Sequence, residues 1–241
     1  MGTSVAVTGA GSGLGLVIAE QLVARGRNVV LLDRDEAALK AGVEHLGGSR
    51  AAGLTADLST VEGIRAAAGA LLARGDVAGL VNNAGGWLPG GQYPDARPEQ
   101  WMPALVLNLT APMLLTQMLW PALAAAGGSV VNIGSSGGLG DAAYGSPEYG
   151  AAKAGLRRFT TSLAGRDDVR VTAVVPGWIG LDRARVQWAG LSEEERAEAG
   201  PLVPPEEVAA AVCTLLDSGR PGEVVELLHG RSRGTGRRDG T

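Results

Sequence analysis

The stretch Ser4–Gly15, SVAVTGAGSGLG, decides the fold of this chain. A short apolar run passes directly into a glycine-rich turn, and an apolar-periodic helix begins inside that turn. Glycines let the backbone turn tightly and approach a pyrophosphate, whose charge is held by the amides of the helix N-terminus. Such a turn can also be a plain strand–helix connection. Its position after the first strand and at the opening of the first helix favours a dinucleotide cradle.

The spacing of this turn is T-G-x-x-x-G-x-G, with the fixed positions at Thr8, Gly9, Gly13 and Gly15. The commoner pattern G-x-G-x-x-G does not fit, because Leu14 stands at its last position. We expect this whole segment, including Leu14, to contact the cofactor.

Over the rest of the chain, short β-branched runs alternate with Ala/Leu-rich stretches, which predicts a parallel sheet covered by helices. Predicted strands are Ser4–Thr8, Asn28–Leu32, Ala51–Ala56, Val77–Asn82, Ser129–Ile133, Val169–Val175 and Glu223–Leu228. Predicted helices are Gly13–Arg25, Glu36–Leu46, Thr60–Ala73, Pro103–Ala125, Pro147–Leu163, Ser192–Ala199 and Pro205–Leu216. No composition break divides the chain, so residues 1–230 form one predicted catalytic domain. The Gly/Arg-rich stretch Arg231–Thr241 is predicted to be a disordered tail.

Composition excludes several function classes. A net charge of −4 over 241 residues gives no reason to expect a nucleic acid partner. The single cysteine, Cys213, has no partner for a disulfide or a zinc cluster. His45 and His229 are the only histidines, so we expect no metal site and no Ser/His/Asp triad.

The segment Gln100–Gly140 contains no charged residue, and Met102–Ala126 is long enough to cross a bilayer. Three prolines, several polar residues and the lack of flanking basic residues argue against a membrane span. We therefore expect a helix buried in the core or between subunits. The chain reads as a strand from Val5 onwards with no signal peptide visible, which predicts a cytoplasmic protein.

Three charged residues at strand ends bear on cofactor choice. Asp33 ends the second strand, where a carboxylate can accept both hydroxyls of an adenosine ribose and would repel a 2′-phosphate. Capping of the next helix is the alternative for Asp33, although Asp35 is better placed for it. Arg34 could instead bind a 2′-phosphate. Asp57, followed by Leu58, could hydrogen-bond the adenine amine or cap the third helix.

Tyr149 and Lys153 are four residues apart, so on a helix they share one face. Ser146-Pro147 supplies a cap and a first-turn proline, which places Tyr149 in the opening turns. There the helix dipole and the lysine ammonium would lower the pKa of the tyrosine, which could then exchange a proton with an alcohol or carbonyl. The alternative is a surface Tyr–Lys pair, which the presence of only two lysines in the chain makes less attractive.

These motifs together resemble the short-chain dehydrogenase/reductase family, in its shorter, single-domain branch. The resemblance runs from Ser4 to about Glu226. Besides the glycine motif and Asp57, it rests on Asn82-Asn83-Ala84-Gly85, Asn108, Ser135 in Asn132–Ser136, Tyr149 with Lys153, and Pro176-Gly177.

The resemblance implies a doubly wound Rossmann fold with about seven parallel strands and the cofactor at the carboxyl edge of the sheet. It implies that Ser135 stabilises the reacting oxygen, that Tyr149 is the acid/base, that Lys153 binds the nicotinamide ribose, and that Asn108 holds a water in a proton relay. Further cofactor contacts are implied at Asn83, Ala84, Gly85, Pro176 and Gly177. It also implies a homodimer or homotetramer.

The chain departs from the family pattern at three places. Leu181 replaces a threonine that usually contacts the carboxamide, so that anchoring must come from backbone, as at Ile179. Gly134 stands where serine is common, which leaves Ser136 open as an alternative to Ser135. The C-terminal glycine-rich ending is shortened to Gly222–Gly230.

The sequence thus predicts an oxidoreductase that interconverts a secondary alcohol and a ketone, with NAD(H) favoured over NADP(H). An NADP(H)-dependent ketoreductase, a non-catalytic NAD(P)-sensing regulator and a sugar epimerase or dehydratase are the alternatives. The substrate should be a small and apolar alcohol or carbonyl compound. Candidates to line its pocket are Trp87, Leu88, Tyr144, Trp178 and Trp188, each of which could equally be core or lid packing.

Overall fold

A computed structural model describes residues 2–87, 93–140 and 145–228, and the backbone of residues 231–234. One sheet runs through the molecule, with the strand order β3-β2-β1-β4-β5-β6-β7-β8. All neighbouring pairs from β3 to β7 are parallel, and β8 joins antiparallel at one edge. The predicted doubly wound fold with seven parallel strands is therefore confirmed.

The strands are β1 (Ser4–Thr8), β2 (Asn28–Asp33), β3 (Ala51–Thr55), β4 (Val77–Asn82), β5 (Ser129–Ile133), β6 (Arg170–Pro176), β7 (Val224–Leu228) and β8 (Arg231–Gly234). The helices are α1 (Gly13–Ala24), α2 (Glu36–His45), α3 (Val61–Arg74), α4 (Pro98–Leu105), α5 (Ala111–Ala125), α6 (Pro147–Ser162), α7 (Asp182–Ala189), α8 (Glu193–Ala199) and α9 (Pro205–Ser218).

The sheet separates two apolar layers. On one face, Ile18 of α1 and Val212 of α9 are buried in one apolar cluster with Leu31 of the sheet. On the other face, Ile64 of α3 and Leu119 of α5 are buried in a second cluster with Leu80 of the sheet. Because both faces are covered, the central strands are apolar almost throughout, as expected for parallel strands.

Three helical features differ from the sequence prediction. The helix expected at Pro103–Ala125 begins earlier, at Pro98, and a π-helical stretch, Val106–Thr110, joins α4 to α5. Pro112 has no N–H to donate to the carbonyl of Asn108, four residues earlier, so regular α-helical bonding cannot continue there. Helix α7 was not predicted, because its sequence DRARVQWA lacks an apolar period.

The C-terminal stretch also differs. A disordered tail was expected from Arg231, but residues 231–234 form β8, with Leu228 opposite Arg231 and Val225 opposite Gly234. The physical reason is that β7 would otherwise leave its outer backbone groups unpaired at the sheet edge. The remaining residues of the predicted tail, 235–241, lie outside the described residues.

The helical segment Pro98–Ala125 is long and apolar enough to cross a bilayer by length and composition, with a mean hydropathy of 1.4. Core helices of globular proteins pass the same test. Here Leu115, Leu119 and Leu123 are fully buried against the sheet.

The order of the strands fixes the position of the site. The chain leaves β1 towards β2 on one side and later returns to β4 on the other side, which makes β1/β4 the switch point of the sheet. In open parallel sheets, ligands bind in the crevice at the carboxyl ends of the strands at this point.

Candidate active site

A cleft of about 1150 Å³ opens at the carboxyl edge of the sheet. This is large enough for a dinucleotide together with a small substrate. Sixteen of the residues predicted for the site line it: Gly9, Gly13, Leu14, Asp33, Arg34, Asp57, Leu58, Asn83, Ala84, Gly85, Ser135, Tyr149, Lys153, Pro176, Gly177 and Ile179. Thr8, Gly15 and Asn108 do not line it and lie behind its wall.

The glycine turn has the geometry of a cradle. Gly9 and Gly13 have φ of 63° and 55°, which is the left-handed region that favours glycine. A Cβ placed on Gly15 would lie 2.1 Å from the Gly9 carbonyl oxygen, so only glycine lets α1 start this close to the turn. The backbone is therefore exposed to a ligand where the α1 amides point, and a pyrophosphate fits this arrangement.

Thr8 and Asn83 tie the cradle to the neighbouring strand. The Thr8 hydroxyl accepts hydrogen bonds from the backbone amides of Asn83 at 3.0 Å and Ala84 at 2.9 Å. The Asn83 side chain donates to the Thr8 carbonyl at 2.8 Å and to the Gly9 carbonyl at 3.1 Å. Buried Thr8 thus holds the two walls of the crevice together across the switch point.

Asp33 is held over the glycine turn. One carboxylate oxygen accepts from the backbone amide of Gly11 at 3.0 Å, and the other accepts from the amide of Asp35 at 3.2 Å. The capping alternative is wrong for Asp33, because Asp35 caps α2 by accepting from the amide of Ala38. The half-buried carboxylate of Asp33 therefore faces the cleft, where ribose hydroxyls can replace or share these bonds.

Asp57 turns its carboxylate onto Ser59, accepting from its amide at 2.9 Å and its hydroxyl at 2.7 Å. These two bonds lower the pKa of Asp57, and the nearby charge of Arg34 lowers it further. Thr60, not Asp57, caps α3 by accepting from the amide of Gly63. Arg34 and Asp57 are thus close enough to interact at the mouth of the cleft.

Tyr149 and Lys153 share the inward face of α6, as predicted. The Lys153 Nζ lies 5.7 Å from the centroid of the Tyr149 ring and donates to the Ile133 carbonyl at 2.8 Å. Burial lowers the pKa of Lys153 to about 8. The alternative of a surface pair is wrong for Lys153, which is buried, while the half-buried Tyr149 faces the cleft.

Ser135 and Ser136 both line the cleft at the end of β5. The Ser135 hydroxyl accepts from the amide of Gly137 at 3.1 Å, which fixes its position, while Ser136 is exposed. A Cβ on Gly134 would lie 2.8 Å from Val175 Cγ2, so the close approach of β6 explains the glycine at this position.

Asn108 lies in the π-helical stretch and is fully buried. Its Oδ1 accepts from the amide of Gly86 at 2.9 Å, and its Nδ2 donates to the carbonyls of Gly86 and Ala104 at 3.1 Å and 3.0 Å. A Cβ on Gly85 would lie 2.5 Å from Asn108 Oδ1 and 3.3 Å from Lys153 Nζ. Asn108 and Lys153 therefore flank Gly85, without a direct bond between them.

The segment after β6 forms the opposite wall. Gly177 donates to the Leu227 carbonyl at 2.8 Å, and the Gly180 amide donates to the Val203 carbonyl at 2.8 Å. Leu181 reaches over the glycine turn, with its Cδ1 3.6 Å from a Cβ placed on Gly13. Its apolar side chain offers no hydrogen bond to a carboxamide.

Of the predicted pocket residues, Trp87 and Trp178 line the cleft. Trp188 does not: it donates to the Gly200 carbonyl at 3.1 Å and packs under Arg196. It therefore belongs to the segment Leu181–Pro204, which the sequence predicts to be the lid of the cleft. Leu88 and Tyr144 lie outside the described residues. The sequence reading missed the lid residues Arg183, Ala184 and Gln187, which line the cleft but carry no motif.

The family model for short chain dehydrogenase matches residues 3–189. A relative from Streptomyces violaceoruber, named granaticin polyketide synthase putative ketoacyl reductase 1, is 36% identical over 228 residues, covering 86% of this chain and 83% of the relative. A putative ketoacyl reductase from Streptomyces coelicolor is 33% identical, covering 92% of this chain and 93% of the relative.

Among solved structures, a variant of actinorhodin polyketide ketoreductase with NADPH superposes with a TM-score of 0.81 at 32% identity, covering 95% of this chain and 98% of that one. L-sorbose reductase from Gluconobacter frateurii, in complex with NADPH and L-sorbose, superposes with a TM-score of 0.84 at 26% identity, covering 95% and 96%. The chain is therefore a member of the short-chain dehydrogenase/reductase family, an oxidoreductase acting on CH–OH groups.

Proposed function

We propose that this protein is an NAD(H)-dependent oxidoreductase of the cytoplasm that interconverts a secondary alcohol and a ketone, with Tyr149 as acid/base. The observation that carries the proposal is the pairing of Tyr149 with a buried Lys153 in the same cleft as Ser135. The geometry supports this function because a proton donor, a cation and a hydroxyl converge beside the glycine cradle.

In the proposed mechanism, the reacting oxygen of the substrate lies between the hydroxyls of Tyr149 and Ser135. Tyr149 gives a proton to this oxygen during reduction or takes one during oxidation. Ser135 donates a hydrogen bond that stabilises the developing negative charge. The nicotinamide, when bound, gives or takes the hydride.

Lys153 serves the reaction through its charge. Its ammonium lies near the Tyr149 ring and favours the phenolate form, and the same group can donate to ribose hydroxyls. Burial lowers the pKa of Lys153 to about 8, so the charged ammonium still predominates at neutral pH. Asn108 would hold a water next to Lys153. The π-helical stretch supports this role, because Pro112 has no N–H to donate to the backbone carbonyl of Asn108.

A preference for NAD(H) over NADP(H) is supported by Asp33. Its carboxylate is fixed by the Gly11 amide next to the glycine turn, where a 2′-phosphate would meet a like charge. Arg34 is exposed, and its charge acts on Asp57 at the mouth of the cleft. It would offset the repulsion at Asp33 only by turning back over that carboxylate. The NADPH complexes of actinorhodin polyketide ketoreductase and L-sorbose reductase support the alternative, an NADP(H)-dependent ketoreductase.

The first experiment replaces the proposed acid/base. Tyr149→Phe keeps the ring packing and removes the hydroxyl, so turnover of a panel of alcohols and ketones should fall by about 10²–10⁴-fold while NADH binding is kept. Tyr93→Phe is the matched control, since Tyr93 is exposed and does not line the cleft. NADH absorbance gives the rates and calorimetry gives the binding.

The result also separates the alternatives. Full activity of Tyr149→Phe would refute the assignment of the acid/base. NADH binding by wild type without turnover of any substrate would identify a sensing regulator. A redox-neutral product would identify an epimerase or dehydratase.

A further inference from the structure

The lid helix α7 places a cation at the end of the cleft where the reaction is proposed. The Cζ of Arg183 lies 5.6 Å from the centroid of the Trp87 ring, and both residues line the cleft. Trp87 follows Gly85 by two residues, and a Cβ on Gly85 would lie 3.3 Å from Lys153 Nζ. The stretch from Gly85 to Trp87 therefore forms the wall of the cleft between Arg183 and the end that holds Tyr149 and Lys153.

Charges are divided unevenly along the cleft. In the described part of the chain, the carboxylates that line it are Asp33 and Asp57, both at the adenine end. At the Tyr149 end, the charged lining residues in that same part are Lys153 and Arg183, which are both cations. This end therefore attracts anions.

Arg183 is also available to a ligand. Within the described residues its guanidinium makes no ion pair and no hydrogen bond, and its contact is the face of an indole. A guanidinium that lies over an aromatic ring keeps its N–H groups directed outward at its edge. Those N–H groups match the two oxygens of a carboxylate or phosphate.

We propose that Arg183 binds an anionic group of the substrate, a carboxylate or a phosphate, and that Trp87 holds the guanidinium in place. This inference rests on the proposed oxidoreductase function and names its substrate class: an alcohol or carbonyl compound that also carries a negative charge. It replaces the expectation of an apolar substrate, which rested on the apolar and aromatic candidates for the pocket and did not include Arg183.

The diphosphate of the cofactor is the other anion that could reach this cleft. The turn Gly9–Gly15 already offers amides to it, and Leu181 lies beside this turn, with its Cδ1 3.6 Å from a Cβ placed on Gly13. Arg183 contacts Trp87 instead, which lies two residues after Gly85 on the wall near Lys153. The charge distribution thus favours the substrate as the source of the anion.

The test compares matched acids and esters. A set of 2-oxo and 3-oxo acids and their neutral methyl esters is assayed with NADH against wild type, Arg183→Met and Arg183→Lys. We expect Arg183→Met to lower kcat/KM by about tenfold or more for the acids and to leave the esters nearly unchanged. For the acids, kcat/KM of Arg183→Lys should lie between the values of wild type and Arg183→Met, since lysine keeps the charge and loses the two-point geometry.

Two controls define the effect. Arg185→Met, on the same helix, removes a guanidinium that bonds the Gly180 carbonyl and does not line the cleft, so any loss should fall equally on acids and esters. The acid preference of wild type should decline with added salt, and that of Arg183→Met should not.

Binding gives a readout independent of turnover. In calorimetry, the Tyr149→Phe protein with NADH should bind an oxo acid more weakly when it also carries Arg183→Met. An equal loss for acids and esters with a raised KM for NADH would assign Arg183 to the cofactor diphosphate and overturn the proposal, as would no change in either class. If instead the proposed oxidoreductase function is wrong, the wild-type protein would bind the acid without turning it over.

Discussion

At the scale of single residues, burial of the Lys153 ammonium lowers the free energy of unfolding, and this loss can be measured. Its ammonium is buried between β5 and α6, and burial lowers its pKa from 10.5 to about 8. Between these two values the unfolded chain holds more protons than the folded chain, so the free energy of unfolding rises with pH across that window. Below about pH 8 the burial penalty is present in full.

We therefore predict that Lys153→Met removes this pH dependence. At pH 7 the variant avoids a penalty on the order of 3 kcal/mol, less the cost of the lost bond to Ile133. Urea unfolding of wild type and variant between pH 7 and 10 measures it, with the exposed Lys40→Met as the control from the only other lysine. Parallel pH profiles for wild type and Lys153→Met would contradict the assigned shift.

Asp33 gives a second prediction at this scale. Asp33→Ser removes the charge that opposes a 2′-phosphate and leaves Arg34 in place, so the ratio of kcat/KM for NADH over NADPH should fall by about tenfold or more. Asp35→Ser is the control, because Asp35 caps α2 outside the cleft and serine keeps a capping oxygen. A wild-type preference for NADPH would mean that Arg34 dominates and that the argument from Asp33 is wrong.

At the scale of elements, the cradle depends on the contact of α1 with the turn that precedes it. Gly15→Ala would place a methyl group 2.1 Å from the Gly9 carbonyl and 2.7 Å from Asn83 Nδ2, so α1 must move. We predict a free energy of unfolding about 1–3 kcal/mol lower, with weakened NADH binding.

The control for this change is Gly69→Ala. Gly69 is exposed on α3, and a Cβ there meets nothing within 4 Å. Alanine should stabilise that helix by about 0.5–1 kcal/mol. Equal urea midpoints for the two variants would show that the close approach at Gly15 is unimportant.

Elements of this fold were predictable where local pattern and burial agree. Strands β1, β4 and β5 were predicted with their observed bounds, because buried parallel strands are short apolar runs between polar turns. The motifs of the site were equally readable, since the turn after β1 and the helix α6 fix their residues by local spacing.

What the sequence did not reveal depends on tertiary contacts. Helix α7 is polar and is held by Arg185 bonding Gly180 and by Trp188 bonding Gly200. The exposed Arg183 on this helix therefore belonged to no sequence pattern. The strand β8 forms because β7 offers an open edge, and its own sequence, RSRG, has no strand pattern.

At the scale of the whole molecule, the apolar surface of α4 and α5 is only partly covered within one chain. Of the 18 consecutive residues of Pro98–Ala125 that are most apolar, 39% are buried. Met102 is 51% exposed and Met113 is 41% exposed. A contiguous exposed apolar surface is a feature of protein–protein interaction sites.

We predict that two copies of the chain associate about a two-fold axis, with α5 and α6 packing against their equivalents, as the family resemblance implies. Purified without detergent, the protein should scatter light as a dimer or a larger species at micromolar concentration. Met113→Lys introduces a charge into the proposed interface and should shift the equilibrium towards monomer, because an unpaired charge is costly to bury. Val186→Lys is the control: Val186 is 74% exposed on α7 and lies outside the proposed interface. A strictly monomeric wild type would contradict the prediction, and equal effects of both lysines would assign the loss of association to net charge rather than to this surface.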